Sequence, residues 1–282
     1  AQVEMLEGTR CAEAIGSHLY PAALIDRRGG HINPFAYVRG LARGAAKAGA
    51  AIYTNTLVRG VSRRDRAWLI HAGQHRLTAD SIIIATNAYT TGLWPGLRES
   101  VVSVRGHGFV TVPLSDNVRH TILPGGQSLT DTRRLFSGVR VLPDGRLHAS
   151  AHGPTSGPER PADWHAVNTR VLRLFPQLDR VSWEQGWSGW VAMTTDHVPR
   201  VHELAPGLFT GLGYNGRGIA AATMMGRDLA ALVGGATDTV FPRVPLRPLP
   251  YSGIAPLLVQ GLARLYRVRD VIDEIPLGRK RS

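Results

Sequence analysis

Cysteine is all but missing from this chain of 282 residues: Cys11 stands alone, which excludes an internal disulfide and any cysteine-built zinc or iron–sulfur centre. Lysine is nearly as scarce, with Lys47 and Lys280 the only two, so the net charge of +12 rests on arginine. No apolar run approaches the roughly 18 residues that read as a membrane-spanning helix. The opening AQVEML has neither the basic nor the apolar region of a secretory leader, and no initiator Met. These absences set the expectation of a cytoplasmic chain whose natural start lies upstream.

What is present is ordinary globular composition, 43% apolar and 19% charged, with length for one large domain or two ordinary ones. The arginines are scattered, and their densest cluster is Arg279-Lys280-Arg281. Nucleic-acid binding gathers basic residues on one element, often beside stacking aromatics, and no helix-turn-helix, zinc-finger or RNP pattern occurs. A solvated basic surface and no nucleic-acid partner are expected.

Asn33-Pro34 opens a helix, with Asn as N-cap and Pro at the first helical position. Phe35, Val38, Leu41, Ala42 and Ala45 then share one helical face, and Gly49 stops it. Strand-like runs follow at 51–54, 57–62, 67–71 and 81–85, with Gly73-Gln74 as a turn between two of them. Runs at 101–104, 109–112, 135–141 and 146–151 read as antiparallel strands, with Asp144-Gly145 as a hairpin turn. Pro161 opens a helix carrying Trp164, Val167, Val171 and Leu174, which Pro176 ends. A strand at 208–212, a glycine-rich turn and a helix over 217–233 return to α/β character. A linker with Pro242, Pro245, Pro248 and Pro250 leads to a last helix over 256–273.

The glycine-rich turn is the strongest local signal. Gly211, Gly213 and Gly216 match G-x-G-x-x-G between strand and helix, as in a dinucleotide fingerprint. A Rossmann half also needs a second strand ending in an acidic residue about twenty positions on, and 234–238 reads as a loop instead. What survives is simpler: glycines let a flat ligand approach the backbone, and a helix start offers free N–H groups and a positive dipole end. A tight strand-to-helix turn that binds nothing reads from the same residues.

Two histidine pairs have i,i+4 spacing. His71 and His75 flank a hairpin turn and are not expected to converge, while His148 and His152 share a strand face without an evident third ligand, so no metal is expected. There is no G-x-S-x-G elbow, H-E-x-x-H helix or P-loop; His202-Glu203 runs into Leu-Ala-Pro, which is no zincin helix. The last helix sets Leu257, Leu258, Leu262, Leu265 and Tyr266 beside Arg264, Arg267 and Arg269. That composition suits a membrane surface, although a docked amphipathic helix is the commoner use.

Three ordered segments resemble the D-amino acid oxidase-like superfamily of FAD-dependent amine oxidoreductases, which includes glycine, sarcosine and γ-glutamylputrescine oxidases. The first joins Gly30-His-Ile-Asn-Pro34, Leu41-Ala-Arg-Gly-Ala-Ala and Gly49-Ala-Ala-Ile-Tyr-Thr-Asn-Thr-Leu-Val58. The second is Ala79-Asp-Ser-Ile-Ile-Ile-Ala-Thr-Asn-Ala-Tyr89. The third joins Gly186-Trp-Ser-Gly-Trp190, Asp196-His-Val-Pro199 and Gly213-Tyr-Asn-Gly-Arg-Gly218, the last in a version similar to the γ-glutamylputrescine oxidase-like branch.

The resemblance implies an α/β (α+β) fold: a partial FAD-binding α/β domain over 33–97 and 186–235, interwoven with a mostly antiparallel-sheet substrate domain over 1–32 and 98–185. Residues 236–282 are left as linker and C-terminal helix. It implies FAD as cofactor, with Val58 at the adenine end, Ala85 and Thr86 lining the cofactor, and Gly189 beside it. Gly213, Tyr214, Asn215, Gly216, Arg217, Gly218, Ile219 and Ala220 would sit against the isoalloxazine. His107 or His148 would take a proton from the substrate ammonium, since an imidazole titrates in the useful range, while a hydrogen-bonded strand histidine reads equally from either position.

Departures from the family pattern shape the expectation further. The N-terminal strand–G-x-G-x-x-G–helix that holds the FAD pyrophosphate does not precede Ala1, so the chain reads as a truncated member. Val191 stands where glycine oxidase-like members carry a carboxylate-binding arginine, and no cysteine near 191–196 offers covalent flavin attachment. The expected function is oxidation of the C–N bond of a small polyamine-like or secondary amine to an imine, with electrons passing to dioxygen or another acceptor. The alternative is a truncated non-catalytic or partner-docking module of a flavoprotein. The oligomeric state does not follow from the sequence.

Overall fold

The computed structural model describes residues 2–135, 138–152 and 161–273, the side chains of 161–164 excepted. Along them run β1 (Val3–Glu7), α1 (Gly8–Ile15), β2 (Ala22–Asp26), α2 (Pro34–Lys47), β3 (Val58–Arg64), β4 (Ala67–Ala72), β5 (His75–Ala79) and β6 (Ile82–Ile84). Then follow β7 (Val102–Pro113), α3 (Asp116–Arg119), β8 (Leu129–Thr130), β9 (Gly138–Val141), β10 (Arg146–His152) and α4 (Pro161–Leu174). The last are β11 (Trp183–Met193), β12 (Arg200–Ala205), β13 (Leu208–Leu212), α5 (Gly218–Val233) and α6 (Ala255–Asp273). The class is mixed α/β. Two compact units result: Ala1–Ile32, Arg105–Gly189 and Leu257–Ser282 form one, Asn33–Val104 and Trp190–Pro256 the other. The divisions fall at Val104/Arg105 and Gly189/Trp190, where the sequence placed them at 97/98 and 185/186, and the expected tail divides between the units.

The first unit is built on a five-stranded sheet in the order β11–β7–β10–β9–β8. Val167, Val171 and Leu174, spaced to share one face of α4, bury against Phe109, Leu147, Ala149 and Phe175. The sequence suggested two strands within 101–112, but β7 is continuous. Gly106 and Gly108, the apparent break, pair with His152 and Ser150 and supply the same ladder groups as any residue. Only part of the expected 135–141 strand is seen, as β9, because 136 and 137 lie outside the described residues, as does the cluster at 279–281.

The second unit holds an antiparallel sheet β3–β4–β5 and a second sheet β12–β13–β6. Gly73, at φ +62°, makes the two-residue turn between β4 and β5, a strand the sequence reading passed over. His71 pairs with Arg76 and His75 with Ala72, so the two histidines stand on alternate faces. Residues 51–54 are not a strand, and Ile52 and Tyr53 are exposed. Helix α5 packs on β13 through Met225, Leu229 and Leu232.

Helix α2 starts as its sequence demands, with the Asn33 side chain accepting from Ala36 N–H at 3.0 Å and Pro34 at its first turn. The described residues leave its apolar face uncovered, however: no residue of α2 is buried, and Phe35 is 67% exposed. Local capping and a Tyr37–Thr223 hydroxyl hydrogen bond of 2.9 Å hold it in place of core packing.

Candidate cofactor site

Strands β6 and β13 are parallel neighbours, with Ile82 opposite Leu208 and Ile84 opposite Thr210. Ligands of open α/β sheets bind outside the carboxyl ends of such strands. At that end β6 runs into Ala85 and Thr86, and β13 into Gly213, so two segments far apart in sequence become adjacent. Thr210 Oγ1 donates to Ile84 O at 2.7 Å, and Asn87 Oδ1 accepts from Gly213 N–H at 3.0 Å.

The turn from β13 to α5 is shaped by three left-handed residues, Gly213 at φ +80°, Asn215 at +52° and Gly216 at +81°. Asn215 holds it from within. Its Oδ1 accepts from Thr194 N–H at 2.8 Å, and its Nδ2 donates to Thr194 Oγ1 at 3.1 Å and to Gly213 O. Gly213 is required by packing as well as by φ, because a Cβ there would collide with Thr194 Cγ2. Gly216 and Gly218 differ: a Cβ on Gly216 meets nothing within 4 Å, and one on Gly218 meets only Tyr214 Cδ2 at 4.0 Å.

The N-cap of α5, Arg217, makes no side-chain cap, and a backbone bond at the helix start runs from Ala221 N–H to Arg217 O at 3.2 Å. The N–H groups of Gly218, Ile219 and Ala220 thus precede the helical ladder and point to its positive end. Gly218 is half-buried, while Gly216, Arg217, Ile219 and Ala220 are exposed. Open space over glycines, unladdered donors and the strand ends Ala85 and Thr86 make a surface that fits one flat, electron-rich face of a cofactor such as a flavin.

Other expected residues lie elsewhere. Val58 starts β3, opposite Ala72 in a different sheet, and Gly189 lies in β11 in the first unit. His107 and His148 are not brought together. Ala151 pairs with His107 and His148 with Val110, so alternation puts the two rings on opposite faces of the sheet. His107 is 4% exposed and stacks on Phe109 in the core, 5.9 Å between ring centres.

His148 shares its face with Arg140, its partner on β9, and with Trp187, whose ring lies 5.6 Å away. Trp187 reaches that position because residue 108 is glycine: a Cβ there would stand 2.6 Å from the indole. Burial pushes the His148 pKa down from 6.5 to about 4, helped by the positive charges of Arg140 and His31. At neutral pH the ring is an uncharged hydrogen-bond acceptor, not a base that titrates near 7. Sequence reasoning missed Asn87 and Thr194. Asn87 sat inside a quoted motif, but only its left-handed φ of 45° and its bond to Gly213 reveal a role. No cluster of metal-ligating side chains occurs among the described residues.

A family model described as FAD dependent oxidoreductase (DAO) matches residues 1–232. The chain belongs to this family of FAD-dependent oxidoreductases. Among its relatives, the probable oxidoreductase OrdL of Rhizobium meliloti (strain 1021) is 32% identical over 222 residues, covering 78% of this chain and 51% of that protein. The gamma-glutamylputrescine oxidoreductase of Escherichia coli (strain K12) is 26% identical over 275 residues, covering 95% of this chain and 64% of that one. The crystal structure of glycine oxidase from Bacillus cereus ATCC 14579 shares the fold, with a TM-score of 0.71 at 19% identity, over 84% of this chain and 67% of that chain. The chain spans between about half and two thirds of the length of these curated relatives.

Proposed function

We propose that the complete protein oxidises the C–N bond of a polyamine-like or secondary amine to an imine, passing electrons to dioxygen or another acceptor. The observation that carries this reading is the open glycine surface at the start of α5, set beside the carboxyl ends of β6 and β13. FAD, when bound, accepts hydride from the carbon beside the amine nitrogen. Gly218, Ile219 and Ala220 would donate their N–H groups to its electron-rich edge, with Ala85 and Thr86 at its side and Val58 toward the adenine.

Within the first unit, His148 and Trp187 share a face whose chemistry suits an amine. A neutral imidazole accepts a hydrogen bond from an amine N–H and orients the nitrogen, while the half-exposed indole supplies an apolar and cation-attracting wall. His107 has no part in this reading, since its ring is packed in the core. Val191 offers no charge to a carboxylate, which favours amines over α-amino acids.

The test is a dye-reduction and peroxide assay of the full-length protein across diamines, N-alkyl amines, glycine, sarcosine and D-amino acids. Turnover of diamines or N-alkyl amines above the rest supports the reading. A clear preference for free glycine, sarcosine or D-amino acids overturns the substrate class, and a full-length protein that retains no FAD overturns the function.

A further inference from the structure

Helix α6 is held to the first unit by one side and leaves an apolar stripe on another. Its anchor is Asp270, 3% exposed, which accepts from Arg134 N–H and Leu135 N–H at 3.1 Å each and pairs with Arg133 at 3.7 Å. Val259, Ala263 and Tyr266, on the same side as Asp270, are half-buried. At 100° per residue, Leu258, Leu262, Leu265 and Ile272 lie within about 80° of one another, on a face turned away from Asp270. All four are exposed, Leu258 by 55% and Ile272 by 57%. Val268, at the edge of this stripe, is 58% exposed.

Charge decides what can cover that stripe. Arg269 stands within it and Arg264 beyond Val268, both exposed, while Arg267 lies on the opposite side of the helix, where it lines a cavity beside His152. The only carboxylates of α6 are Asp270 and Asp273, and both are already engaged by arginines of the 133–134 segment. A second copy of this helix would therefore bring arginines against arginines with no acid left to pair them. An anionic bilayer meets both needs. Its acyl boundary takes the leucines, its headgroups take the guanidiniums, and long arginine side chains reach from an apolar face to a charged surface.

We propose that the outward face of α6 is a peripheral docking surface for an anionic lipid bilayer. The helix lies in the interface plane; no helix among the described residues is long and apolar enough to cross a membrane. The docking surface is independent of the FAD chemistry proposed above, so either reading can fail alone.

The test is co-sedimentation of the full-length protein with phosphatidylcholine vesicles containing roughly one-third phosphatidylserine, against pure phosphatidylcholine vesicles. Two variants accompany the parent. Leu262→Gln/Leu265→Gln removes apolar side chains that are 44% and 47% exposed, so the fold has little reason to change, and circular dichroism checks that it has not. Arg264→Gln/Arg269→Gln keeps the stripe and removes the charge. Expected are binding to the anionic vesicles, a loss of roughly tenfold or more in the leucine variant, and a loss in the arginine variant that matches the effect of raised salt on the parent. No binding by the parent overturns the proposal. So does equal binding by both variants, or a concentration-dependent oligomer that the leucine variant abolishes while lipid has no effect.

Discussion

The side-chain oxygen of Asn87 accepts a hydrogen bond from the backbone N–H of Gly213 at 3.0 Å, joining the carboxyl ends of two parallel strands whose sequences lie 126 residues apart. This bond fixes where the glycine turn begins, and with it the direction in which the start of α5 points. In the full-length protein, Asn87→Ala should cost about 1 to 2 kcal/mol of stability by leaving a buried N–H unmatched. It should also weaken FAD retention by roughly tenfold, in step with the loss of one positioning bond. Asn87→Asp keeps an acceptor and tolerates the left-handed backbone, so it should recover most of the flavin content read from the visible spectrum.

Two glycines of the turn, Gly213 and Gly218, test packing against ligand access. Gly213→Ala should lower the melting temperature with or without FAD, since both φ and Thr194 oppose a side chain there. Gly218→Val should leave the apo melting temperature nearly unchanged, because its Cβ meets nothing closer than 4.0 Å, yet sharply reduce bound flavin. Equal flavin content in Gly218→Val and the parent would remove the start of α5 from the proposed site.

Stability should fall with acid in a window set by His148. Its folded pKa, about 4, lies below the ordinary 6.5, so between those values the unfolded chain binds a proton that the folded one refuses. Stability is full above 6.5 and declines as pH drops toward 4, by up to about 3 kcal/mol from this residue. Burial lowers His152 and His202 as well, adding to the same slope. Melting temperatures of His148→Phe measured across that range should decline less steeply than those of the parent.

Asp270→Ala should free α6 from the first unit. Losing an acceptor for two backbone N–H groups and the partner of Arg133 should cost about 2 to 4 kcal/mol. Limited proteolysis should then cut within Ala255–Asp273 earlier than in the parent, while Asp273→Ala, an exposed position, should leave the digestion pattern unchanged.

Local chemistry made much of the chain legible. Asn33-Pro34 marked α2, Asp144-Gly145 and Gly73-Gln74 marked turns, the Val167, Val171 and Leu174 spacing marked the buried face of α4, and β13 fell where its apolar run lies. These features depend on neighbours in sequence: caps, φ preferences and side-chain period act over a few residues. Periodicity failed where it had to choose a partner. Residues 51–54 have the composition of a strand but pair with no strand among the described residues, which also leave the regular apolar face of α2 uncovered.

The amino-acid sequence by itself determined the class of the fold, the glycine turn ahead of α5 and, through the ordered motifs, the resemblance to FAD-dependent oxidoreductases. Only the tertiary structure decided which candidates share a surface. Pairing of β6 with β13 set Ala85 and Thr86 next to Gly213, and the register of β7 with β10 sent His107 into the core while turning His148 toward Trp187. The reason is the two-residue period of a strand: whether a side chain faces the core or the opposite side changes with a single step of register, and register is a relation between strands distant in the chain.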